Sequence, residues 1–223
     1  MSWAAGIAAR VPAPCAVCRR WGRARLCADC VARHAPPATR CPRCALRIGT
    51  AATICGDCLR DPPPFERTVC AVDYAFPWDG LVAAFKFRDR PELAMALAAL
   101  IPPLPDPAPQ LVLPVPLSPA RLRERGYNQA WELARRLGLP ARHDVLLRPV
   151  ETGHQVELTR AQRLANLRAA FVVDGRRRAA VEGRRVALVD DVLTTGATVR
   201  AAAAALRAAG ASAVDVIVFA RTP

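Results

Sequence analysis

Lysine is nearly missing from this chain. Of 32 basic residues, 31 are Arg and only Lys86 is Lys. Together with abundant Ala and 21 Pro, that skew points to a compositional bias of the source genome. Arg-richness alone is therefore weak evidence for phosphate recognition. No apolar run reaches the length that spans a bilayer. Met1–Pro14 has no basic n-region ahead of an apolar core, so no signal peptide is expected and the expected compartment is the cytoplasm. The sequence also lacks the Gly-Lys pair of a Walker A loop and any Gly-x-Gly-x-x-Gly fingerprint, which sets aside two common nucleotide-binding designs. What remains is a 223-residue chain of formal charge +13. That length suits one ordinary domain plus a small module, and that charge favours polyanionic partners.

Cysteine is concentrated at one end. Eight of the nine form four Cys-x-x-Cys pairs within the first 58 residues: Cys15/Cys18, Cys27/Cys30, Cys41/Cys44 and Cys55/Cys58. In a reducing compartment such pairs read as metal ligands, and two pairs complete one tetrahedral Zn²⁺ site. Four pairs therefore mean two sites. Sequential pairing gives two zinc ribbons, and interleaved pairing is equally compatible with the spacing. His34 is surplus to these ligands and is expected at the surface. Cys70 lies in an apolar run and is expected to be a buried small hydrophobe. The first 60 residues carry ten Arg against Asp29 and Asp57, a formal +8. Eight thiolates and two zinc ions would leave about +4, so the head stays basic. Trp21 is expected to pack on the zinc knuckle, with base stacking as the rival role.

Asp61-Pro62-Pro63-Pro64 reads as a stiff boundary, placing a cysteine-rich module at 1–60 and a second domain at 61–223. Beyond it, strands are expected at Thr68–Phe76, Gln110–Val115, Val145–Leu147 and Ala213–Ala220. Helices are expected at Gly80–Phe87 and Leu93–Leu100, with another from Ser118-Pro119 that breaks at Gly126 and runs on to Gly138. Strands alternating with helices argue for a parallel α/β sheet.

The stretch Val186 to Thr198 reads Val-Ala-Leu-Val-Asp-Asp-Val-Leu-Thr-Thr-Gly-Ala-Thr. Four apolar residues suit a strand covered on both faces. Asp190 and Asp191 are expected where that strand stops. The small-residue turn Thr194, Thr195, Gly196, Ala197 and Thr198 then opens an Ala-rich helix. Free N–H groups and the positive end of a helix dipole make such a turn a phosphate site.

This stretch resembles the phosphoribosyl-pyrophosphate (PRPP) motif of type I phosphoribosyltransferases. Leu111–Leu117, Arg121 to Gln129, Phe85-Lys86-Phe87-Arg88 and Gln155 to Phe171 extend the match, and with the cysteine-rich head the order resembles the ComF family, linked to competence and DNA uptake in bacteria. The resemblance implies a double zinc ribbon followed by a type I phosphoribosyltransferase-like parallel sheet flanked by helices. It implies that Asp190 and Asp191 hold ribose hydroxyls, that Mg²⁺ bridges ribose and pyrophosphate oxygens, and that Thr194–Thr198 takes the 5′-phosphate. Pro114-Val115-Pro116-Leu117 would occupy the place of the pyrophosphate loop, its amides facing the diphosphate. The loop carrying Arg160 and Arg163 would close over substrate and supply cations to departing pyrophosphate. Arg125 and Asn128 would face the site or cap the broken helix. Lys86, the one cation that the bias left as Lys, would present a point charge to pyrophosphate.

Three functions stay open at this level. The first is PRPP·Mg²⁺ binding in the service of DNA uptake, with single-stranded DNA and competence proteins as partners. The second is an active phosphoribosyltransferase with an unidentified acceptor. The third is a zinc-ribbon adaptor with a relict pocket. Thr194 stands where purine-salvage relatives carry an acid, and its hydroxyl cannot act as a general base near neutral pH.

Overall fold

The computed structural model describes residues 12–49, 52–149 and 170–223. In the head, β1 (Ala13–Pro14) and β2 (Trp21–Gly22) pair antiparallel ahead of α1 (Ala28–His34) and α2 (Gly56–Arg60). Cys27 and Cys55 are the N-cap residues of these two helices, so each second Cys-x-x-Cys pair straddles a helix start.

The α/β part runs through β3 (Arg67–Asp73), α3 (Trp78–Phe87), α4 (Leu93–Ala98) and β4 (Leu111–Pro114) to α5 (Pro119–Arg125) and α6 (Gln129–Ala134). Next come β5 (Leu146–Leu147) and β6 (Val172–Val173), an antiparallel pair, then β7 (Arg185–Leu193), α7 (Ala197–Ala208) and β8 (Ala213–Arg221). The main sheet has the order β3-β8-β7-β4, and every neighbouring pair is parallel. Its two central strands are near-continuous apolar runs because both faces are covered. Leu113, Leu188 and Val216 pack with Val199, Ala202 and Leu206 of α7 on one face. On the other, Val112, Ala187, Val189 and Phe219 pack with Trp78, Phe85, Leu97 and Leu133 from α3, α4 and α6. Alanine keeps α7 thin enough to lie close to the sheet, and it is the best helix former.

The segment after β4 follows its local signals. Ser118 caps α5 by accepting from the Arg121 N–H, with Pro119 in the first turn, and Gly126 ends the helix at φ 74. Asn128 then starts α6, its side-chain oxygen accepting from the N–H groups of Ala130 and Trp131. The expected single broken helix is thus two capped helices.

The head is fastened to the sheet by more than the proline linker. Leu26 joins the cluster of Trp78, Val82 and Phe85, and Ala45 joins the opposite cluster. The Thr68 N–H donates to Pro42 O at 2.8 Å, and Trp78 Nε1 donates to His34 O at 2.7 Å. Arg40 reaches Asp73 at 2.7 Å, and Arg47 pairs with the same carboxylate. Two expectations are corrected at this junction. His34 is half-buried, its ring edge-on to Phe76 at 5.7 Å, because α1 ends where the head meets α3. Trp21 is 72% exposed instead of packed, because β2 turns it outward.

A buried charge ties three strands together. Asp215 of β8 is 0% exposed and is held by Arg67 of β3 at 3.0 Å and Arg185 of β7 at 2.9 Å. Removing one partner from a buried ion network leaves the others uncompensated, at about 3–5 kcal/mol. Urea unfolding of Asp215→Ala should show a destabilisation of that order.

Candidate functional site

The cysteines cluster sequentially, as Cys15, Cys18, Cys27, Cys30 and as Cys41, Cys44, Cys55, Cys58, with the ligand atoms of each set within 4.8 Å of one another. The interleaved alternative is excluded. The Cys27 N–H lies 3.4 Å from Cys15 Sγ, and the Cys55 N–H 3.5 Å from Cys41 Sγ. Burial opposes ionisation of Cys15, but N–H groups of Cys27, Cys18 and Val17 outweigh it and bring the thiol down to about 6. Cys41 comes down to about 7 by the same balance. Burial first, then the neighbouring sulfurs, push Cys30 up to about 12 and raise Cys58 as well. One thiolate per cluster forms readily and the last forms with difficulty, so a dication would supply the missing compensation. Each cluster could hold a zinc ion. Cys70 is buried in β3, and burial pushes its thiol up to about 11.

The second site is a cleft of 290 Å³ at the carboxyl ends of β4 and β7. Its wall includes Lys86, Val115, Arg121, Arg125, Asn128, Arg148, Asp190, Asp191, Thr194 and Thr198. Ligands of open α/β sheets bind at this edge. One sequence expectation changes here: β7 does not stop at Val189. It stays paired with β8 through Leu193↔Arg221, so both aspartates are strand residues.

That extension decides where the carboxylates point. Successive strand residues face opposite sides of a sheet. Alternation starts Asp190 on the side of Val186 and Leu188 and Asp191 on the side of Ala187 and Val189, yet at this strand end both carboxyl groups line one cleft and the two side chains interact directly. Lys86 acts on both of them. Lys86 of α3 brings Nζ to 3.0 Å from Asp191 Oδ2. Arg148, following β5, interacts electrostatically with Asp190 and lies over the Phe171 ring at 5.3 Å. Burial and then Arg121 weaken the basicity of Arg148, while Asp190 sustains it. Burial first and Asp191 second push the Asp190 carboxyl up to about 8, with Lys86 as a partial offset.

Around these acids, Arg125 donates to Gln129 Oε1 at 3.0 Å and stacks on Phe87 at 4.9 Å. Asn128 does two jobs at once, since besides capping α6 it donates from Nδ2 to Val115 O at 3.0 Å. The expected role of the Val115 amide is corrected, because that N–H donates to Val189 O at 2.8 Å as part of the sheet. Any diphosphate contact from this loop falls to later residues. Gly196 adopts φ 80 at the start of α7, a conformation that favours glycine, and as the N-cap residue it offers no side-chain cap. Apart from the Ala197 N–H, the first turn of α7 leaves its amides for an incoming anion at the cleft. Thr194 and Thr198 line the cleft, whereas Thr195 Oγ1 accepts from the Ala197 N–H at 3.4 Å. Arg160 and Arg163 lie outside the described residues. Sequence reasoning missed Arg148 and Tyr74 as cleft residues and gave Arg121 no role. No local pattern marks them, since they approach from three separate segments.

The raised Asp190 makes a signed prediction. Its folded value near 8 exceeds the ordinary 3.8. The stability that its neutral carboxyl retains is complete below about pH 4 and is lost as pH rises toward 8. Thermal melts of ligand-free Asp190→Asn should therefore gain on wild type between pH 5 and pH 9. A constant difference would mean an ordinary carboxylate.

Residues 122–223 match the phosphoribosyl transferase domain family. The DNA utilization protein YhgH of Salmonella typhi is 35% identical over 95% of this chain and 98% of its own length. Competence protein F of Haemophilus influenzae is 33% identical over 81% of this chain and 84% of its own. Competence protein ComFC of Bacillus subtilis is 30% identical over 78% and 73%, respectively. Identity that runs through both the cysteine-rich head and the α/β domain establishes that the chain belongs to the competence protein F (ComF) family.

Proposed function

We propose that this protein binds PRPP·Mg²⁺ in the cleft and acts in the cytoplasm on incoming single-stranded DNA, together with competence proteins. The observation that carries the PRPP reading is the pair Asp190 and Asp191, together in one cleft at the end of β7 and followed directly by the N-terminus of α7. The names of the relatives, DNA utilization and competence proteins, support the DNA part.

In this reading Asp190 and Asp191 accept hydrogen bonds from the ribose hydroxyls, and the turn from Thr194 to Thr198 takes the 5′-phosphate. Lys86 and Arg125 supply positive charge for the diphosphate. Arg160 and Arg163 do the same from the neighbouring loop. The carboxylates suit Mg²⁺, a hard cation that prefers oxygen donors, and when bound it would neutralise diphosphate charge. Binding also resolves the mutual repulsion of the two acids, which Lys86, Arg148 and the Asp191 N–H offset in the ligand-free protein. The two cysteine clusters hold structural zinc, and the module boundary falls after residue 60.

A transferase activity on the same site has one observation in its favour. Lys86, Arg121, Arg125 and Arg148 surround the place where a leaving diphosphate would carry charge, the arrangement that lowers such barriers. Release of pyrophosphate from PRPP in a screen of nitrogen nucleophiles would establish it.

Calorimetric titration with PRPP and Mg²⁺ tests the main reading. Asp190→Asn and Asp191→Asn should each weaken binding roughly tenfold to a hundredfold, the scale of a lost hydrogen bond to a charged group at about 1.5–3 kcal/mol. Wild-type affinity in both variants would refute the site. For the head, metal analysis should return two zinc ions per chain, and chelation should unfold the region around both clusters.

A further inference from the structure

A second recess, of 380 Å³, lies between the head and α3. Pro77, Leu81, Ala84 and Arg88 line it at helical spacing and so share one face of α3. Lys86, which serves the PRPP cleft, is on another face. The recess floor is apolar. Its rim carries four guanidiniums, Arg19 and Arg25 from the head and Arg88 and Arg90 from the α/β part, with no acidic residue in the lining among the described residues. Glu92 pairs with Arg90 and also attracts Arg25 from a longer distance, whereas Arg19 and Arg88 make no ion pair among the described residues. Phe76 stands at the same recess, 76% exposed.

Cations around one recess repel one another, and Glu92 offsets that only at Arg90 and Arg25, so an anion would relieve the rest. A small phosphate metabolite would want hydroxyls and convergent N–H groups, and among the described residues the lining has no Ser or Thr. An acidic peptide would satisfy the charge yet leave the ring and the apolar floor unused. A strand of phosphodiesters with free base faces uses all three features. Duplex DNA keeps its base faces stacked and offers none to Phe76.

We propose that this recess is a binding site for single-stranded nucleic acid, jointly built by the zinc head and α3. The phosphates run along Arg19, Arg25, Arg88 and Arg90, and one base stacks on Phe76. This deepens the DNA part of the proposed function and is independent of the PRPP cleft. Guanidiniums and one ring read no base edges, so binding tolerates any sequence and favours flexible pyrimidine runs. Four phosphates neutralised on a single strand give a log–log salt slope of about −2.8.

The test uses zinc-loaded full-length protein and fluorescence anisotropy with labelled oligo-dT over a range of salt. Arg19→Gln/Arg25→Gln/Arg88→Gln should shrink the slope by about 2 units and weaken binding. Arg23→Gln/Arg176→Gln/Arg178→Gln removes the same charge from exposed positions outside the recess and should leave the slope almost unchanged. Equal losses in both triple variants would overturn the proposal, since general charge would then suffice. Phe76→Ala should cost roughly five- to a hundredfold, the range for one stacked base, and Phe76→Trp should restore binding. Failure of Trp to rescue refutes the stacking. Polyglutamate that displaces oligo-dT at equal charge concentration would also overturn the proposal, in favour of an acidic protein. PRPP affinity, measured on the same variants, should stay at the wild-type value. Its loss would show that the recess variants damage the fold, and the oligo-dT effect would then count against the proposal. A wild type that binds oligo-dT but not PRPP refutes the cleft and leaves the recess standing.

Discussion

Parallel pairing of β7 with β8 beyond Val189, as far as Leu193, is the contact on which the rest of the molecule depends. Held in the sheet, Asp190 and Asp191 are fixed at one cleft, where Lys86 of α3 acts on both carboxylates and Arg148 on Asp190. The same pairing delivers the chain to Gly196 at the angle that starts α7. The positions of the acids and of the turn from Thr194 to Thr198 are consequences of one ladder of hydrogen bonds.

The zinc head takes part in that ladder's end. Arg221, the last residue of β8, donates from Nε to Cys44 O at 3.1 Å and from Nη1 to Leu193 O at 3.1 Å. One guanidinium thus joins a cysteine of the second cluster to the residue just before the phosphate turn. Arg200 of α7 reaches Asp61 in the proline segment at 2.5 Å. With Leu26 and Ala45 packed into the two faces of the core, the head behaves as part of the wall that holds the sheet's carboxyl edge.

Electrostatics shapes the cleft as much as packing does. Buried carboxylates are costly, and here two stand side by side with burial driving Asp190 toward its neutral form. Lys86 is well suited to oppose this, since an ammonium is compact and can bring its whole charge to one oxygen. Its 3.0 Å contact with Asp191 gives a reason why this position is Lys in a chain that otherwise uses Arg. Such strained arrangements are typical of sites that trade stability for ligand binding.

Much of this was legible in the residues alone. Four Cys-x-x-Cys pairs announce two four-cysteine clusters, because paired thiolates at that spacing suit a tetrahedral metal site. The apolar run before Asp190 and the small residues after it mark a strand, a turn and a helix start, all local signals. Ser118-Pro119 and Gly126 mark their helix ends for the same reason. Other features are not local, and only the tertiary structure decided them. Which cysteine pairs share a metal depends on how the head folds. Where β7 ends depends on β8, some twenty residues later. The Val115 amide is taken by Val189, a partner seventy residues away in sequence, and Arg148 reaches the cleft across an intervening segment. Nor could spacing place Arg19 and Arg88 around one recess, since they belong to different parts of the chain. Short-range patterns record the preferences of a backbone and its neighbours; contacts between distant segments are settled by packing, which buries surfaces no local window contains.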